Sequence, residues 1–298
     1  MRQTVFEESL NGITIDRVIR DYSYTMPTKH LHDEYEIYYL LEGERYYFIS
    51  QHTYHIKKGS LVFVNRNVIH KTGNVSQTYH DRILIEFSEE PFATFFASMN
   101  DLDLHDFFET CTGVIECDPR EQSAVESLLI GIHTEMRDKR PGYKLNVMMK
   151  LSELLIFALR YKNEHPANTN PESSTGKHTK VDEVADYIVK HCSEDLSLAN
   201  IADTFYTNKC YLSRIFKEVT GFSVNEYLNL HRIEKAQKLL ISTDIPISEV
   251  AYECGYKSLT YFEKVFRSFR EVTPLKYRNE YLKQNRKRTK KIETDIDQ

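Results

Sequence analysis

Apolar residues recur at helical spacing towards the C-terminal end of the chain. Residues 247–278 show the pattern of a short helix, a tight turn, a second helix and, after a stop, a third helix. Gly255 can adopt the positive φ that a turn between two helices often needs, and Ser258 is suited to cap the second helix. The apolar positions predicted to be buried are Val250, Ala251, Tyr261, Phe262, Val265, Phe266 and Phe269. Two short helices joined in this way have the geometry that lays the second helix in a DNA major groove.

The same pattern occurs a second time upstream. Five residues of the upstream copy match the downstream copy at a constant offset of 50 residues: Leu212 with Phe262, Phe216 with Phe266, Lys217 with Arg267, Ser223 with Thr273 and Tyr227 with Tyr277. The apolar pair 201–202 matches 250–251 at an offset of 49, so the upstream turn is predicted to be one residue shorter. Asn208 is the predicted N-cap there, and Tyr206 stands where glycine would fit more easily. The apolar face over 225–241 predicts a long helix between the copies.

The downstream copy resembles a known signature. Its positions V-A-x-x-x-G-Y-x-x-x-x-Y-F-x-x-x-F-R from Val250, followed by T-P-x-x-Y-R from Thr273, are similar to the second helix-turn-helix of the AraC/XylS family of bacterial transcription regulators. The resemblance implies a seven-helix domain over 180–282 whose two recognition helices enter successive major grooves, about 34 Å apart. Glu271 departs from the family, which usually has glycine there. A left-handed helix end at Glu271 would cost about 1 kcal/mol, unless the turn differs.

A polar stripe on each predicted recognition helix faces away from its apolar side. With residues at the helix starts, the stripes make up the predicted DNA-binding set: Asn208, Lys209, Cys210, Ser213, Arg214, Lys217, Ser258, Leu259, Thr260, Glu263, Lys264 and Arg267. Residues near each helix start should reach base edges and later ones phosphate, and Arg214 suits guanine O6 and N7. Glu263 could accept from cytosine N4 or could pair with Arg267. A single stripe of this kind is more often merely solvated, but two aligned stripes favour DNA contact.

Charge is distributed unevenly along the chain. The net charge is −5, yet residues 205–291 hold 18 Lys and Arg against 9 Asp and Glu, a difference of +9. A basic segment on an acidic protein is typical of nucleic-acid binding. The segment 283–298 is basic and then acidic. Its basic part is expected either to attract phosphate without sequence preference or to be solvated.

Length and composition favour a soluble protein with two domains. The chain has 298 residues, which is typical of two domains. Its five cysteines form no C-x-x-C pair, which argues for reduced thiols in a cytoplasm and against a disulfide framework or a zinc knuckle. No apolar run approaches the roughly 18 residues that span a bilayer, and the N-terminus has no apolar signal segment. The sequence therefore predicts a cytoplasmic protein without a membrane partner.

Residues 1–90 alternate between apolar and polar in short runs separated by glycines, which predicts a small β-barrel or jelly roll. Within this segment, His30-x-His32-x-x-x-Glu36 with the later Gly43 resembles the first cupin motif. The stretch from Gly59 to Asn74 resembles the second motif, with Asn65 and Asn67 in place of the usual Pro and Gly. In metal-binding cupins two His, the Glu and a later His converge on one ion. The resemblance assigns those positions to His30, His32, Glu36 and His70.

Two interpretations of these four residues stay open. Three imidazoles and a carboxylate suit a divalent metal such as zinc, nickel, manganese or iron. Alternatively, they are the polar part of a pocket for a sugar-type effector, with Tyr38, Tyr46 and Phe63 as stacking aromatics that would fit a barrel core equally well. Asn65 and Asn67 change the turn that presents His70, which favours the pocket. No metal or other cofactor is therefore predicted, and no residue is assigned a catalytic role.

From 91 to 163 the spacing becomes helical. Two apolar stripes stand out: Val125, Leu128, Leu129, Ile132 and Met136, and then Leu151, Leu154, Leu155 and Ala158. The family uses helices here to dimerise, while packing within the chain against the barrel is the alternative. Residues 164–179 are polar with two prolines, which is typical of an interdomain linker. The first helix of the DNA-binding domain is then expected over 181–192.

The sequence thus predicts an α+β protein of two domains, in which a cupin-like barrel with dimerisation helices precedes an all-α domain with two helix-turn-helix units. The predicted function is a sequence-specific transcription regulator, either an activator or a repressor, that responds to a small polar effector such as a carbohydrate. Predicted partners are double-stranded DNA, the effector, RNA polymerase and a second copy of the chain. The alternatives are a metal-dependent cupin enzyme fused to a DNA-binding domain, and a DNA-binding regulator that needs no effector.

Overall fold

Antiparallel strands form the first part of the chain. The computed structural model describes residues 1–26, 32–75, 79–92, 103–165 and 176–283. The strands are β1 (Arg2–Leu10), β2 (Ile13–Arg20), β3 (Tyr35–Ile49), β4 (His52–Lys57), β5 (Ser60–Val64), β6 (His70–Asn74), β7 (His80–Phe87) and β8 (Gly113–Glu116). Their hydrogen-bonded order is β1-β2-β7-β3-β5-β8, while β4 and β6 pair with the second half of β3. The long strand β3 therefore joins two groups of strands, and the predicted cupin-like sheet domain is confirmed.

Alternation along β3 and β7 separates two buried faces. Ile37, Ile83 and Ile85 point to one face, which shares a core with the helices that follow. Tyr38 and Leu40 point to the opposite face and belong to a second apolar cluster. We call this second face the interior face. Side chains alternate along a strand with a period of two, so residues paired directly opposite Tyr38 and Leu40 on neighbouring strands also point to the interior face.

Helices cover the other face of the sheet. They are α1 (Leu104–Cys111), α2 (Pro119–Asp138) and α3 (Tyr143–Glu164). A capping box between Asp118 and Glu121 starts α2. Both predicted stripes are buried apart from the partly buried Leu128, and they join the sheet core. Packing against the sheet thus accounts for these stripes. The segment is not wholly helical, because β8 interrupts it and pairs with β5.

The rest of the described chain is helical. Its helices are α4 (Gly176–His191), α5 (Leu198–Thr204), α6 (Lys209–Thr220), α7 (Val224–Ser242), α8 (Ile247–Glu253), α9 (Leu259–Arg270) and α10 over 274–283. These seven helices of the described residues match the predicted number. The predicted start at residue 181 is too late, since α4 begins at Gly176 within the segment expected to be linker.

The chain forms two compact units. The first consists of Met1–Asp182 with Val219–Gly221, and the second of Glu183–Glu218 with Phe222–Gln298. The second unit holds most of the helical domain.

Candidate DNA-binding surface and effector site

The first helix-turn-helix consists of α5 and α6, joined by residues 205–208. Asn208 caps α6, because its Oδ1 accepts hydrogen bonds from the backbone N–H of Cys210 at 2.8 Å and of Tyr211 at 3.3 Å. Tyr206 has a φ of 48° in this turn, and the residue is 97% exposed. The turn is one residue shorter than its downstream counterpart, as predicted.

The second helix-turn-helix consists of α8 and α9, joined by residues 254–258. Gly255 has a φ of 84°, and a Cβ at this position would lie 2.7 Å from the carbonyl oxygen of Ser193. Both the backbone angle and the space therefore require glycine. The Oγ of Ser258 accepts a hydrogen bond from the N–H of Tyr261, which confirms the predicted N-cap. Helix α9 ends on Glu271 with a φ of 60°, so the chain adopts the left-handed helix end without glycine.

A buried arginine on α7 links the end of α4 to the turn of the second helix-turn-helix. Arg232 donates from Nε to the carbonyl oxygen of Cys192 at 2.7 Å and from Nη2 to that of Glu194 at 2.8 Å. Its guanidinium also lies over the ring of Tyr256, in the downstream turn, with Cζ 5.3 Å from the ring centroid. The sequence analysis did not find this residue, because a single arginine in a long helix carries no signal of its long-range partners.

The polar stripes of the two recognition helices face solvent. Of the twelve predicted DNA-binding residues, Ser213 is half-buried and the others are exposed: Asn208, Lys209, Cys210, Arg214, Lys217, Ser258, Leu259, Thr260, Glu263, Lys264 and Arg267. The alternative ion pair between Glu263 and Arg267 is absent from the ion pairs that the structure records among its described residues. Both recognition helices therefore present polar stripes to solvent. The basic segment beyond residue 283 lies outside the described residues.

Three of the predicted barrel residues converge on the interior face. The Nε2 atoms of His32 and His70 lie 3.4 Å and 3.3 Å from Oε2 of Glu36, and one ligand atom from each residue fits within 4.8 Å of the others. Glu36 and His70 are almost fully buried. Oε1 of Glu36 accepts a hydrogen bond from the hydroxyl of Tyr47. We call His32, Glu36 and His70 the His/Glu cluster. His30, the fourth predicted member, lies outside the described residues.

The turn before His70 forms despite its asparagines. Asn67 adopts a φ of 59°, a left-handed conformation that asparagine tolerates better than most residues. Its backbone N–H donates to the carbonyl oxygen of His32 at 2.8 Å, and the side-chain amide of Asn65 donates to Glu109 at 3.1 Å. The first of these contacts ties the turn before His70 to the backbone of His32. Asn65 and Asn67 thus do not prevent His70 from reaching Glu36.

Backbone carbonyls orient both imidazoles. Nδ1 of His32 lies 3.1 Å from the carbonyl oxygen of Glu34, and Nδ1 of His70 lies 2.9 Å from that of Val68. A carbonyl can only accept, so each Nδ1 carries the proton in these contacts. Each Nε2 then faces Glu36 either as a lone pair or, in an imidazolium, as a second N–H. The arrangement suits a bound cation as well as a protonated imidazole.

The electrostatics of the cluster favour an ionised carboxylate. Burial by itself would raise the pKa of Glu36, but the nearby His70, the polar contacts with His32 and His70 and the hydrogen bond from Tyr47 outweigh burial and hold the pKa well below its ordinary value. Burial lowers the pKa of His32, while the carboxylate of Glu36 raises it, and the net effect is a raised pKa. Glu86 adds further negative charge, with Oε1 3.9 Å from Nε2 of His32.

The predicted aromatic residues lie in different places. Tyr38 is buried beside the cluster, where its ring meets that of Tyr47 edge to face with centroids 5.3 Å apart. Phe63 lies on the other face of the sheet and packs against Phe107 of α1. Tyr46 stacks on His178 with centroids 4.1 Å apart. The structure therefore brings Tyr38, but not Phe63, to the His/Glu cluster. Alternation along β3 from Tyr38 would have pointed to Tyr46, but the register shift between Leu40 and Glu42 brings Tyr47 to this face instead, so the sequence carried no signal for Tyr47.

None of the described helices, α1 to α10, is both long and apolar enough to cross a lipid bilayer.

Comparison with known proteins gives two matching family models. The model described as an AraC-like ligand-binding domain matches residues 13–155, and the model described as a helix-turn-helix domain matches residues 201–280. The first covers most of the sheet and helices of the first unit, and the second covers both helix-turn-helix units.

Curated relatives and a solved structure are similar to parts of the chain. The regulatory protein PocR of Salmonella typhimurium is 33% identical over 139 residues, which are 46% of this chain and 46% of that protein. An uncharacterised HTH-type transcriptional regulator of Staphylococcus aureus (strain COL) is 25% identical over 268 residues, 88% of this chain and 34% of that protein. The solved C-terminal domain of AraT, a response regulator from Geobacillus stearothermophilus, is 38% identical with a TM-score of 0.32, covering 33% of this chain and 82% of that one.

The aligned segments span only about a third to a half of the curated relatives' lengths. These relatives are named as regulatory proteins, and the matched models describe a ligand-binding domain and a helix-turn-helix domain, in agreement with the predicted class of protein. The order of the two matched domains is the order predicted from the motifs. The chain belongs to the AraC family of DNA-binding transcription regulators.

Proposed function

We propose that this regulator places α6 and α9 in two successive major grooves of double-stranded DNA, and that a small polar molecule bound on the interior face of the barrel controls how it does so. The proposal rests on the exposed polar stripes of α6 and α9, two capped helices of the same helical domain. The ligand would act by favouring one of two arrangements that already exist. A carbohydrate is a candidate effector, and RNA polymerase is the expected partner in transcription.

Replacing Arg214 and Arg267 separately should give different losses. Arg214 lies in the middle of α6 with its guanidinium 5.7 Å from the centroid of the Tyr211 ring, and we expect it to read guanine. Arg214→Ala should cost about 1–3 kcal/mol on the preferred operator and relax preference at one base position. Arg267 is in the last turn of α9, so Arg267→Ala should weaken binding evenly across sequences. The measurement is binding to a library of operators with single base changes.

Lys238→Ala is the matched control for both arginines. Lys238 is exposed on α7, outside the predicted DNA-binding stripes. We expect its replacement to leave the operator preference unchanged. Equal, sequence-blind losses for the Arg214 and Arg267 variants would show that the base-reading face is assigned incorrectly.

The His/Glu cluster is the proposed polar contact of the effector. It offers a buried carboxylate with two imidazoles as hydrogen-bonding groups beside the ring of Tyr38. The same donor set also fits a first-row divalent metal, since two imidazole nitrogens and one carboxylate oxygen lie within 4.8 Å of one another. Such an ion would neutralise Glu36 and offer a positive site for a ligand oxygen.

Metal analysis of protein purified without a histidine tag separates the two roles. For a direct effector contact we expect far less than one equivalent of metal per chain, and no change of Tm on chelation. His32→Ala should then abolish the change in DNA affinity that an effector causes. DNA affinity without effector is measured alongside, since a folding defect would lower it too. About one equivalent of metal, lost on chelation together with a fall in Tm, would overturn the direct contact and assign an ion to the cluster.

We also propose that the helical hairpin of the first unit mediates association with a second copy of the chain. Leu145 and Met149 on α3 are 57% and 56% exposed, and Ile156 on the same helix and Ile130 on α2 are exposed as well. The spacing of four and seven residues along α3 places its three residues on one face. Exposed apolar stripes of this kind mark interaction surfaces.

Charged residues in this stripe should break the association. The double change Leu145→Glu and Met149→Glu should weaken self-association at least about 100-fold, because it would bury unpaired carboxylates. Sedimentation equilibrium measures the effect, with Lys144→Glu, an exposed neighbour on the same helix, as the control that keeps the association. A wild-type chain that stays monomeric at every concentration would contradict a dimer.

A further inference from the structure

Three arginines gather on the interior face, which also holds the His/Glu cluster. They come from three neighbouring strands: Arg20 from β2, Arg45 from β3 and Arg82 from β7. They are buried, with exposures of 6%, 1% and 8%. The aromatic ring of Tyr24 lies between two of them, 4.0 Å from Cζ of Arg20 and 6.0 Å from Cζ of Arg45. We call Arg20, Arg45 and Arg82 the arginine cluster.

The arginine cluster has one carboxylate for three guanidiniums. Asp16 pairs with Arg82. Arg45 donates to neutral oxygens only, from Nη1 to Oδ1 of Asn74 and from Nη2 to the carbonyl of Tyr24, both at 2.5 Å. Within the described ranges, no carboxylate oxygen comes within ion-pair distance of Arg20 or Arg45. Two positive charges of the cluster thus lack a negative partner in this part of the chain.

A buried guanidinium cannot relieve this excess by losing its proton. Burial lowers the pKa of Arg20, and the neighbouring Arg82 lowers it further. Burial also lowers the pKa of Arg45, where Tyr38 acts in the opposite direction and Arg20 adds to the lowering. Arginine nevertheless stays charged in proteins. The face of an aromatic ring and neutral carbonyl oxygens stabilise a cation less than a carboxylate does. Unmatched buried charge is costly and calls for an anion.

Tyr38 connects the arginine cluster with the His/Glu cluster. Its ring packs on Tyr47, which donates to Glu36. Its hydroxyl lies within electrostatic reach of all three arginines and of Glu36. The interior face thus holds three arginines as well as a carboxylate with two imidazoles, and Tyr38 lies within electrostatic reach of the arginines and of the carboxylate.

We propose that the effector is a small organic anion whose carboxylate or phosphate group is bound by Arg20 and Arg45, with its hydroxyl groups directed towards Tyr38 and the His/Glu cluster. The inference rests on the proposed function, since it takes the interior face to be the effector site. It narrows the proposed effector from small polar molecules in general to sugar acids, sugar phosphates and related hydroxy acids. A neutral sugar would leave the two arginines unmatched.

Matched pairs of probes test the charge requirement on the full chain. Glucose, glucuronate and glucose 6-phosphate are compared by thermal shift and calorimetry, with sodium chloride added to equal ionic strength. We expect glucuronate or glucose 6-phosphate to raise the Tm and glucose to leave it unchanged. Arg20→Gln and Arg45→Gln should each weaken binding of the active anion at least about 10-fold, because each removes a charged hydrogen-bonding partner. Arg2→Gln is the control, since Arg2 lies opposite Arg20 in register but is exposed.

The Tm without ligand gives a second test that does not depend on the probe. If Arg20 is held ready for an anion, Arg20→Gln removes an unmatched buried charge and should raise that Tm, by about 2 °C or more. A structural role predicts a fall instead. A fall in Tm, together with no response to either anion beyond that to sodium chloride, would overturn the proposal. A shift that persists in both variants would overturn it too, because the anion would then bind elsewhere.

The anionic effector and the proposed function can be contradicted separately. A neutral sugar that raises the Tm, with the shift lost in His32→Ala, would contradict an anionic effector but would support the barrel as the effector site. Loss of DNA binding is measured independently on the operator and bears only on the helical domain.

Discussion

Raising the salt concentration fourfold, from about 50 to about 200 mM, should weaken operator binding by the full chain about 250-fold. This corresponds to a slope of about −4 in a plot of log K against log salt, which is expected for roughly five phosphate contacts with counterion release. The basis is the concentration of charge in residues 205–291, which hold 18 Lys and Arg against 9 Asp and Glu although the whole chain has a net charge of −5. Fluorescence anisotropy across a salt series gives the slope.

Single lysine changes sharpen this prediction. Lys217 lies in the last turn of α6 and Lys264 in the middle of α9, and both are exposed. If each contacts phosphate, Lys217→Ala and Lys264→Ala should each reduce the slope by about 1. Lys144→Ala, on α3 of the first unit, should leave it unchanged. A flat salt dependence in the wild-type chain would contradict phosphate binding by the helical domain.

The helix-turn-helix units could be predicted from sequence in detail, because their signals are local. Asn208 and Ser258 act as caps through the backbone groups of the next three residues. The offset between the two repeats is 49 before the turn and 50 after it, which predicted the shorter upstream turn. Glu271 marked the position of the left-handed helix end. Each of these features depends on residues close together in the chain, where spacing alone constrains geometry.

The barrel was predicted less completely, because its sites depend on strand pairing. His32, Glu36 and His70 were found through their motif spacing, and the structure brings them together. Phe63 was placed with them, yet it faces the helices. Strand β5 is buried on both faces, so its sequence gives no alternation to tell one face from the other.

Other features of the barrel had even less signal. The four residues of β8 are too few for a period to show within a helical segment. Arg20 and Arg45 look like ordinary surface residues until strand pairing sets them on one face, through the register of β2 with β7 for Arg20 and of β3 with β4 and β6 for Arg45. Long-range register, and not residue type, decides whether an arginine is solvated or buried.

The second large effect concerns Arg232, which the sequence analysis also missed. Arg232→Ala should lower the free energy of unfolding by about 3 kcal/mol. The change removes a buried cation and leaves the carbonyls of Cys192 and Glu194 without their donors, and it also removes the cation over Tyr256. Urea unfolding of the full chain, followed by the circular dichroism of the helices, measures the loss. Lys238→Ala, an exposed change on the same helix α7, should cost less than about 0.5 kcal/mol.

Arg232→Ala should also weaken the cooperation of the two recognition helices in binding a full operator. Arg232 links the end of α4 to the downstream turn, where Gly255 already approaches Ser193 closely. If this link fixes the spacing of α6 and α9, Arg232→Ala should reduce affinity for an operator with both half-sites more than affinity for either half-site alone. Operators with altered half-site spacing should then be discriminated less well than by the wild-type chain. Equal losses on full and half operators would mean that Arg232 stabilises the fold without setting that spacing.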